Sequence, residues 1–365
     1  MINFIDFKNQ RFHYLWLRDN CPCSDCRHPS GQRIHETWQL DANINVESYQ
    51  VTDTGLQVKW AAPHQHLSNF TEQYLLENSY DRGRSTTQSI ENWGSELTGQ
   101  LPCFDYEEVI GKEEVKAQWL EAVNKYGLSL LKNVPTKPGT ILQVVQLFGY
   151  VRNTNYGELF EVISVEQAVN LAFPPLPLSL HTDNPYRNPV PTLQLLHCLE
   201  KAQRGGVTAL TDGFRAAQIL REQNPEAFKL LASQAVTFRF SSEDAILEHS
   251  ACMIETDARG EISAIRVNNR SLAPLNLPFD LMQSYYLAYQ ELMSIIQGSN
   301  CKVTLTLDKG DLILFDNQRI LHGREVQAEG PRHLQGCYAD RDGLRSTAAL
   351  LKKQNSTTVP VVASS

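Results

Sequence analysis

Four features that often reveal the class of a protein are missing from this sequence. No apolar run is long enough to cross a membrane, and the first residues resemble neither a signal peptide nor an arginine-rich transit segment. No internal repeat is present, and acidic residues outnumber basic ones to give a net charge of −8, which argues against a nucleic-acid partner. We therefore expect a cytoplasmic protein that binds neither membranes nor nucleic acid.

The length and composition predict one large domain and one small one. The chain has 365 residues, and 42% of them are hydrophobic, which is enough for a sizeable core. Short alternating runs predict β-strands near the start, and a polar stretch after them predicts a linker. We expect four segments: a small β-rich domain over residues 1–78, a linker over 79–101, the large domain over 102–354 and a polar tail over 355–365.

Apolar residues at helical spacing predict two helices in the large domain. One covers residues 112–125, and the other covers 279–296 with a stripe of tyrosine, leucine and methionine side chains that is typical of core or dimer contact. A short apolar run predicts a strand over residues 128–131.

Two histidines and an aspartate predict a metal centre. Alternation through residues 176–180 predicts a strand that would deliver His181 and Asp183 to one side, because side chains two apart share a face. His322 follows a predicted hairpin over residues 303–316 and would lie in the loop that ends it. Two imidazoles and one carboxylate leave three positions of a ferrous ion open for a co-substrate and dioxygen. Either histidine alone could be an ordinary loop residue, so the prediction depends on the set.

Arg332 extends this prediction to a co-substrate. It lies ten positions beyond His322, at the start of a predicted strand over residues 332–338. A guanidinium binds a carboxylate through two parallel hydrogen bonds. We therefore expect Arg332 to hold the distal carboxylate of a 2-oxo acid whose other end chelates the metal.

Three of the eight cysteines are crowded into one polar loop. Cys21, Cys23 and Cys26 are spaced as thiolate ligands are in a reducing compartment. A tetrahedral zinc needs a fourth donor, and several histidines follow downstream. A cluster of free cysteines is the alternative interpretation.

At this point the chain is identified as similar to the iron(II)- and 2-oxoglutarate-dependent dioxygenases, in the group of taurine dioxygenase and the γ-butyrobetaine and trimethyllysine hydroxylases. The similar segments occur in the expected order through most of the chain. They are Leu17–Cys23, His181–Asp183, Leu195–Cys198, Gly205–Gly206 with Asp212–Phe214, Phe315–Asn317, Leu321–Arg324 and Gly336–Tyr338.

The resemblance implies a fold and a set of cofactors. It implies a mainly β fold with flanking helices, in which a double-stranded β-helix, or jelly roll, carries iron(II) and 2-oxoglutarate. The small N-terminal domain would bind structural zinc through the three cysteines and a histidine, with His66 the best match and His64 the alternative. Thr208 would assist Arg332 with the 2-oxoglutarate carboxylate. Ascorbate is expected to stimulate turnover, and a homodimer is expected.

The resemblance also implies the substrate class. Tyr156, Phe160, Phe173 and Tyr338 match the positions of an aromatic cage in the butyrobetaine enzymes. Aromatic faces attract a diffuse cation, so a small zwitterion with a trimethylammonium group is the expected substrate.

The anionic end of that substrate is expected to meet Asn184, Asn269 and Arg270. A guanidinium and amide donors would suit a phosphonate, and residues 181–186 resemble the bacterial dioxygenases that begin the breakdown of 2-trimethylaminoethylphosphonate. Hydroxylation of that phosphonate is therefore the preferred prediction. The alternatives are hydroxylation of γ-butyrobetaine to carnitine, hydroxylation of trimethyllysine, and a non-catalytic small-molecule sensor.

Overall fold

The structure, a computed structural model, divides the chain into two compact units, residues 1–87 and 88–365. Within the parts that the structure describes, every helix is too short or too polar to cross a membrane. The described residues are 3–63, 65–81, 90–163, 178–326 and 328–357.

The first unit is built from short antiparallel strands and two short helices. Its core contains Trp60, whose indole N–H donates to the hydroxyl of Ser68 at 2.9 Å, and Phe70 from the neighbouring strand. The strands form a two-stranded sheet, β1–β2, and a three-stranded sheet, β3–β4–β5. The elements are β1 (Phe4–Phe7), β2 (Gln10–His13), α1 (Tyr14–Asp19), β3 (Val46–Thr52), β4 (Gly55–Trp60), β5 (Leu67–Thr71) and α2 (Glu72–Glu77), with a 3₁₀ turn at Thr37–Gln39.

The second unit is mainly β with flanking helices. Its elements are β6 (Cys103–Asp105), α3 (Tyr106–Gly111), α4 (Glu113–Tyr126), β7 (Leu128–Lys132), α5 (Thr140–Gln146), β8 (Phe160–Ile163), β9 (Leu178–His181), β10 (Leu193–Glu200), β11 (Thr208–Asp212), α6 (Gly213–Gln223), α7 (Pro225–Ser233), β12 (Val236–Ser241), β13 (Ile246–Ala251), β14 (Ile254–Thr256), β15 (Ile262–Ile265), α8 (Phe279–Gln297), β16 (Lys302–Leu305), β17 (Leu312–Asp316), β18 (Ile320–Arg324), β19 (His333–Ala339) and α9 (Arg341–Thr357), with a 3₁₀ turn at Ser95–Leu97.

Two sheets of the second unit share a core. The larger has the order β6–β7–β17–β10–β19–β8, and the smaller has the order β16–β11–β18–β9. Phe315 of the larger sheet and Leu210 of the smaller one belong to the same buried apolar cluster. Helices α4, α5 and α9 cover the outer face of the larger sheet, and α6, α7 and α8 pack beside the smaller sheet. The larger sheet therefore has apolar side chains packed on both of its faces.

The predicted helices and strand of this unit are confirmed. α4 begins with Glu113 and Glu114 in its first turn, where carboxylates stabilise the helix dipole, and ends at Gly127, which has a φ of 75°. The second predicted helix is α8 (Phe279–Gln297), and the predicted strand is β7 (Leu128–Lys132).

The predicted hairpin over residues 303–316 is wrong. β16 pairs with β11 in the smaller sheet, whereas β17 pairs with β7 and β10 in the larger sheet. Residues 306–311 carry the chain from one sheet to the other. Alternating apolar residues predict a strand but do not identify its partner, because the same pattern suits either sheet.

Candidate active site

Two antiparallel strands of the smaller sheet bring the predicted metal ligands together. β9 ends at His181, and β18 contains His322 directly opposite it, so His322 lies in a strand and not in the predicted loop. Asp183 lies two residues beyond the end of β9. One ligand atom from each of these three residues lies within 4.8 Å of the other two.

A glycine permits the close approach of these strands. A Cβ atom at Gly323 would lie 2.4 Å from the carbonyl oxygen of Leu178, a separation that real Cβ atoms do not show. Any other residue at position 323 would therefore push β18 away from β9 and separate His322 from His181.

Hydrogen bonds set the tautomer of His181. Its Nδ1 lies 2.8 Å from the backbone carbonyl oxygen of Ser179, and a carbonyl can only accept, so Nδ1 carries the proton. The lone pair is therefore on Nε2, which lies 3.3 Å from Oδ1 of Asp183. Nε2 of His322 lies 3.9 Å from Oδ2 of the same carboxylate.

Three neighbouring side chains hold Asp183 in place. The Gln194 amide and the Tyr338 hydroxyl both donate to Oδ2, at 2.9 and 3.0 Å. The Asn317 side chain accepts from the backbone N–H of Asp183 at 2.7 Å and donates to its carbonyl oxygen at 2.9 Å. With Oδ2 held by two donors, Oδ1 is the oxygen that faces His181.

Gln194 was not predicted as a site residue. It lies on β10, is 1% exposed and stands between the buried leucines Leu193 and Leu195. A buried amide needs hydrogen-bond partners, so a glutamine within an apolar strand is the signal that could have identified it.

The electrostatic environment keeps Asp183 and His322 in the protonation states that a metal requires. Burial raises the pKa of Asp183, but His181, His322 and Arg270 lower it further, so the net pKa is below its usual range. Burial and the neighbouring His181 lower the pKa of His322 to about 3, against the opposing effect of Asp183. At neutral pH the carboxylate is ionised and His322 is neutral, which are the ligand forms. Two imidazoles and one carboxylate beside a cavity fit iron(II) with open positions.

The triad faces a cavity of about 790 Å³ that also contains Arg332, Thr208 and Arg324. Thr208 is buried at the start of β11, and Arg332 immediately precedes β19. Burial, together with the nearby Arg324, lowers the pKa of Arg332 to about 10. The Arg332 guanidinium is therefore still charged at neutral pH and is available to an anionic ligand in the cavity.

Three of the four predicted aromatic residues line the same cavity. The ring centroids of Tyr156 and Phe160 are 6.3 Å apart, and those of Phe160 and Tyr338 are 5.2 Å apart. A Cβ atom at Gly336 would lie 2.3 Å from the Phe160 ring, so a glycine in β19 makes room for that ring. Phe173 lies outside the described residues.

Two further aromatic residues, which the sequence did not predict, extend this wall. Phe240 on β12 stacks on Tyr186 with centroids 5.2 Å apart and meets Tyr156 edge-on at 5.9 Å. The hydroxyls of Tyr156 and Tyr186 are 3.0 Å apart. Both Phe240 and Tyr186 line the cavity, so the rings form a continuous row from Tyr338 to Tyr186.

The predicted anion-binding residues are divided between the cavity and the surface. Asn184, which has a φ of 56°, is buried in the cavity and accepts from the Tyr186 hydroxyl at 3.0 Å. Asn269 is exposed outside the lining, with its side-chain oxygen 3.5 Å from the Tyr289 hydroxyl. Its neighbour Asn268 lines the cavity instead and donates to the Thr182 carbonyl at 3.0 Å.

Arg270 lines the cavity even though much of the residue is exposed. Partial removal of its guanidinium from water lowers the pKa, and Asp183, Tyr186 and Tyr156 act in the opposite direction. Arg270 is therefore a cation close to both the triad and the aromatic row.

The predicted cysteine cluster is assembled in the first unit. Nε2 of His66 lies 3.2 Å from the Cys21 sulfur and 3.6 Å from the sulfurs of Cys23 and Cys26. With bonds of about 2.3 Å to sulfur and about 2.0 Å to nitrogen, a tetrahedral zinc holds these atoms about 3.5 Å apart. The four donors are therefore consistent with zinc. His64 lies outside the described residues.

Comparison with known proteins gives matches along almost the whole chain. Residues 85–338 match the family described as taurine catabolism dioxygenase TauD, TfdA family, and residues 1–75 match the family described as gamma-butyrobetaine hydroxylase-like, N-terminal. The chain is 34% identical to a gamma-butyrobetaine dioxygenase of Pseudomonas sp. (strain AK-1), over 96% of this chain and 93% of the relative. It is 33% identical to the human gamma-butyrobetaine dioxygenase, over 97% of this chain and 94% of the relative.

More distant similarities follow the same pattern. The mitochondrial trimethyllysine dioxygenase of Bos taurus is 30% identical over 94% of this chain and 83% of that protein. The solved structure of PvcB from Pseudomonas aeruginosa is 20% identical, covers 70% of this chain and 93% of its own, and superposes with a TM-score of 0.49. Given the family match over residues 85–338 and relatives at 33–34% identity, this chain belongs to the TauD, TfdA family and is an iron(II)- and 2-oxoglutarate-dependent dioxygenase.

Proposed function

We propose that this dioxygenase hydroxylates γ-butyrobetaine. The observation that carries the proposal is the row of aromatic rings beside the triad, because ring faces attract a quaternary ammonium group that cannot form hydrogen bonds. The names of the relatives that align with nearly the whole chain support γ-butyrobetaine over 2-trimethylaminoethylphosphonate as the substrate.

The triad residues would hold the iron. His181 would bind through Nε2, since its Nδ1 is engaged by Ser179, and Asp183 through Oδ1, since its Oδ2 accepts from Gln194. His322 would complete one face through Nε2. Iron held by these residues would supply the oxidising chemistry, with 2-oxoglutarate and dioxygen as its co-substrates.

Arg332 and Thr208 would hold the distal carboxylate of 2-oxoglutarate. Both line the cavity, and the guanidinium is charged at neutral pH. Arg324 lies near enough to lower the pKa of Arg332, so two guanidinium groups bring positive charge to this end of the cavity. A dicarboxylate is the type of ligand that such a charge favours.

The substrate would be held at its two ends. The aromatic row would bind the trimethylammonium group, and Arg270 and Asn184 would meet the carboxylate. Fixing both ends of a short substrate presents only its central methylene groups to the metal, which favours hydroxylation at one carbon.

A second candidate substrate is 2-trimethylaminoethylphosphonate. The observation that favours it is Arg270 in the cavity, because a guanidinium binds a more highly charged phosphonate more strongly than a carboxylate. An Arg270→Gln variant distinguishes the two, since its KM for the phosphonate is expected to rise more than its KM for γ-butyrobetaine.

The assay that tests the proposal supplies iron(II), 2-oxoglutarate and ascorbate with γ-butyrobetaine, trimethyllysine or the phosphonate in parallel reactions. Succinate and a product heavier by one oxygen atom are measured for each compound. Coupled formation of both with γ-butyrobetaine at the highest kcat/KM supports the proposal. A higher kcat/KM for the phosphonate would overturn it in favour of the second candidate.

We propose further that the second unit is a double-stranded β-helix. We also propose that the first unit carries structural zinc on Cys21, Cys23, Cys26 and His66. Finally, we propose that the enzyme is cytoplasmic and forms a homodimer. The alternation of β8 to β11 and of β16 to β19 between the two sheets supports the first of these points. Light scattering in solution tests the dimer.

A further inference from the structure

One β-hairpin forms part of the cavity wall, and its tip has no role in the substrate binding proposed above. β12 (Val236–Ser241) and β13 (Ile246–Ala251) pair in antiparallel register, with Ser241 opposite Ile246. Phe240 at the end of β12 links Tyr156 to Tyr186 in the aromatic row. Residues 241–244 at the tip of the hairpin also line the cavity.

The tip carries two adjacent carboxylates, those of Glu243 and Asp244. The turn is closed by its own hydrogen bonds, since the N–H of Ser242 donates to the Ala245 carbonyl at 2.9 Å and the N–H of Ala245 donates to the Ser242 hydroxyl at 3.1 Å. Glu243 and Asp244 are both exposed, and neither has an ion-pair partner among the described residues. Within the described part of the chain, no basic side chain therefore forms an ion pair with these two charges.

The rest of the lining makes this pair of charges significant. Four arginines line the described cavity, Arg239, Arg270, Arg324 and Arg332, and of these Arg239 is paired with Glu248 at 2.7 Å. The described carboxylates in the lining are Asp183, which belongs to the triad, and the two at the tip. The carboxylates of the hairpin tip would attract the trimethylammonium end of a substrate and would add negative charge to a lining that also holds these guanidinium groups.

We propose that the hairpin Val236–Ala251 is the cation-selecting wall of this site, with Phe240 completing the aromatic surface for the trimethylammonium group and Glu243 and Asp244 favouring a substrate with a cationic end over one of the same shape whose corresponding end is uncharged. This inference rests on the proposed function and adds to it the origin of charge discrimination. Selectivity is a difference between two affinities, so it is measured with two ligands that differ only in charge.

The two ligands are γ-butyrobetaine and 5,5-dimethylhexanoate, in which a carbon atom replaces the quaternary nitrogen. The KM of the first and the competitive inhibition constant of the second are compared in the wild type and in the double variant Glu243→Gln/Asp244→Asn. We expect the KM for γ-butyrobetaine to rise about twofold to fivefold at low salt, while the inhibition constant of 5,5-dimethylhexanoate, which keeps the carboxylate but has an uncharged tert-butyl end, does not rise. The rise should shrink in about 0.5 M sodium chloride, where charges are screened beyond a few ångströms.

The matched control is Glu113→Gln/Glu114→Gln on α4, which removes the same net charge from exposed positions outside the cavity. It should leave both constants unchanged. A second test uses Phe240→Leu, for which we expect the KM for γ-butyrobetaine to rise about threefold to tenfold with little effect on the inhibition constant of 5,5-dimethylhexanoate. Phe240→Tyr keeps the aromatic face and should restore the wild-type value, which separates a lost ring face from a lost fold.

Each outcome bears on a different claim. If the wild type turns over γ-butyrobetaine but the tip and Phe240 variants raise the two constants equally, or not at all, the selecting role of the hairpin is overturned and the proposed function stands. If the wild type turns over none of the trimethylammonium compounds, the proposed function fails, and the inference fails with it.

Discussion

The two donor clusters of this protein differ in the number of ligands and in what lies beside them. Cys21, Cys23, Cys26 and His66 provide four donors, which is the full complement of a tetrahedral site. His181, Asp183 and His322 provide three, and the remaining side opens into a cavity of about 790 Å³. The comparison teaches that an incomplete set of protein ligands, together with an adjacent cavity, separates a site suited to reaction from one suited to holding a fold.

The two clusters also differ in their protonation before a metal binds. Burial raises the pKa of Cys21 to about 11 and raises that of Cys26, although the pKa of Cys23 is lowered by hydrogen bonds from its neighbours despite burial. A zinc ion binding at this cluster would therefore have to displace protons from buried thiols. In the other cluster Asp183 is already ionised and His322 already neutral at neutral pH.

The largest expected effect comes from removing a ligand of the open site. His181→Ala or Asp183→Ala should lower coupled succinate formation by at least about a thousandfold, because two protein ligands do not hold iron for oxygen chemistry. The melting temperature and the zinc content should stay near the wild-type values. Substrate-dependent succinate formation in either variant would contradict the iron assignment.

Removing a ligand of the closed site should instead reduce stability. Cys23→Ser should lose zinc, as measured by elemental analysis, and should lower the melting temperature or the yield of folded protein, because structural zinc contributes its binding free energy to folding. Turnover per bound iron in the protein that remains folded should be close to the wild type. Unchanged zinc content and melting temperature would show that the structural site is elsewhere.

Arg332, the proposed anchor for 2-oxoglutarate, sharpens the comparison, because the four-donor cysteine cluster needs no residue that binds a co-substrate. Arg332→Ala should raise the KM for 2-oxoglutarate by about a hundredfold, in the range for loss of a buried charged partner. Arg332→Lys keeps the charge but not the two parallel hydrogen bonds. Its KM for 2-oxoglutarate should therefore lie between those of the wild type and Arg332→Ala. A KM for 2-oxoglutarate that does not change in Arg332→Ala would exclude the anchoring role.

The smallest effect is expected from the residues that orient Asp183. Gln194→Leu removes one of two donors to Oδ2 and should weaken metal binding about tenfold, as measured by titration with cobalt(II) or iron(II). Tyr338→Phe removes the other donor and serves as the matched variant. If neither variant changes the affinity for the metal, Asp183 is held in place without them.

The local sequence pattern was sufficient to recognise candidate site residues that lie two positions apart or within one short loop. The His181–Asp183 pair and the three cysteines were recognised in this way, and the structure brings the members of each set together. Arg332 was recognised from its place ten positions beyond His322, and it lines the cavity. His322 was predicted as the third ligand but in a loop after a hairpin, whereas the structure places it in β18 opposite His181 and does not contain that hairpin.

Residues recruited from distant strands could not be recognised from local pattern. Phe240 lies 54 positions beyond Tyr186, its stacking partner, and nothing in its own neighbourhood marks it as part of a site. The sequence also could not distinguish Asn268 from Asn269. Adjacent amides look equivalent in sequence, and only the backbone direction decides which of the two side chains lines the cavity. Such choices depend on tertiary packing, which the sequence pattern does not encode locally.

The glycine between β9 and β18 has a consequence for the order in which the protein matures. A slip of one residue between these strands would place a side chain where only Gly323 fits against the Leu178 carbonyl, and it would also turn His322 to the opposite face. The strand register is therefore specified by steric exclusion and does not require the metal. The ferrous ion can enter a pocket that folding has already completed. The cluster of Cys21, Cys23, Cys26 and His66, in contrast, is expected to form only as its own metal arrives.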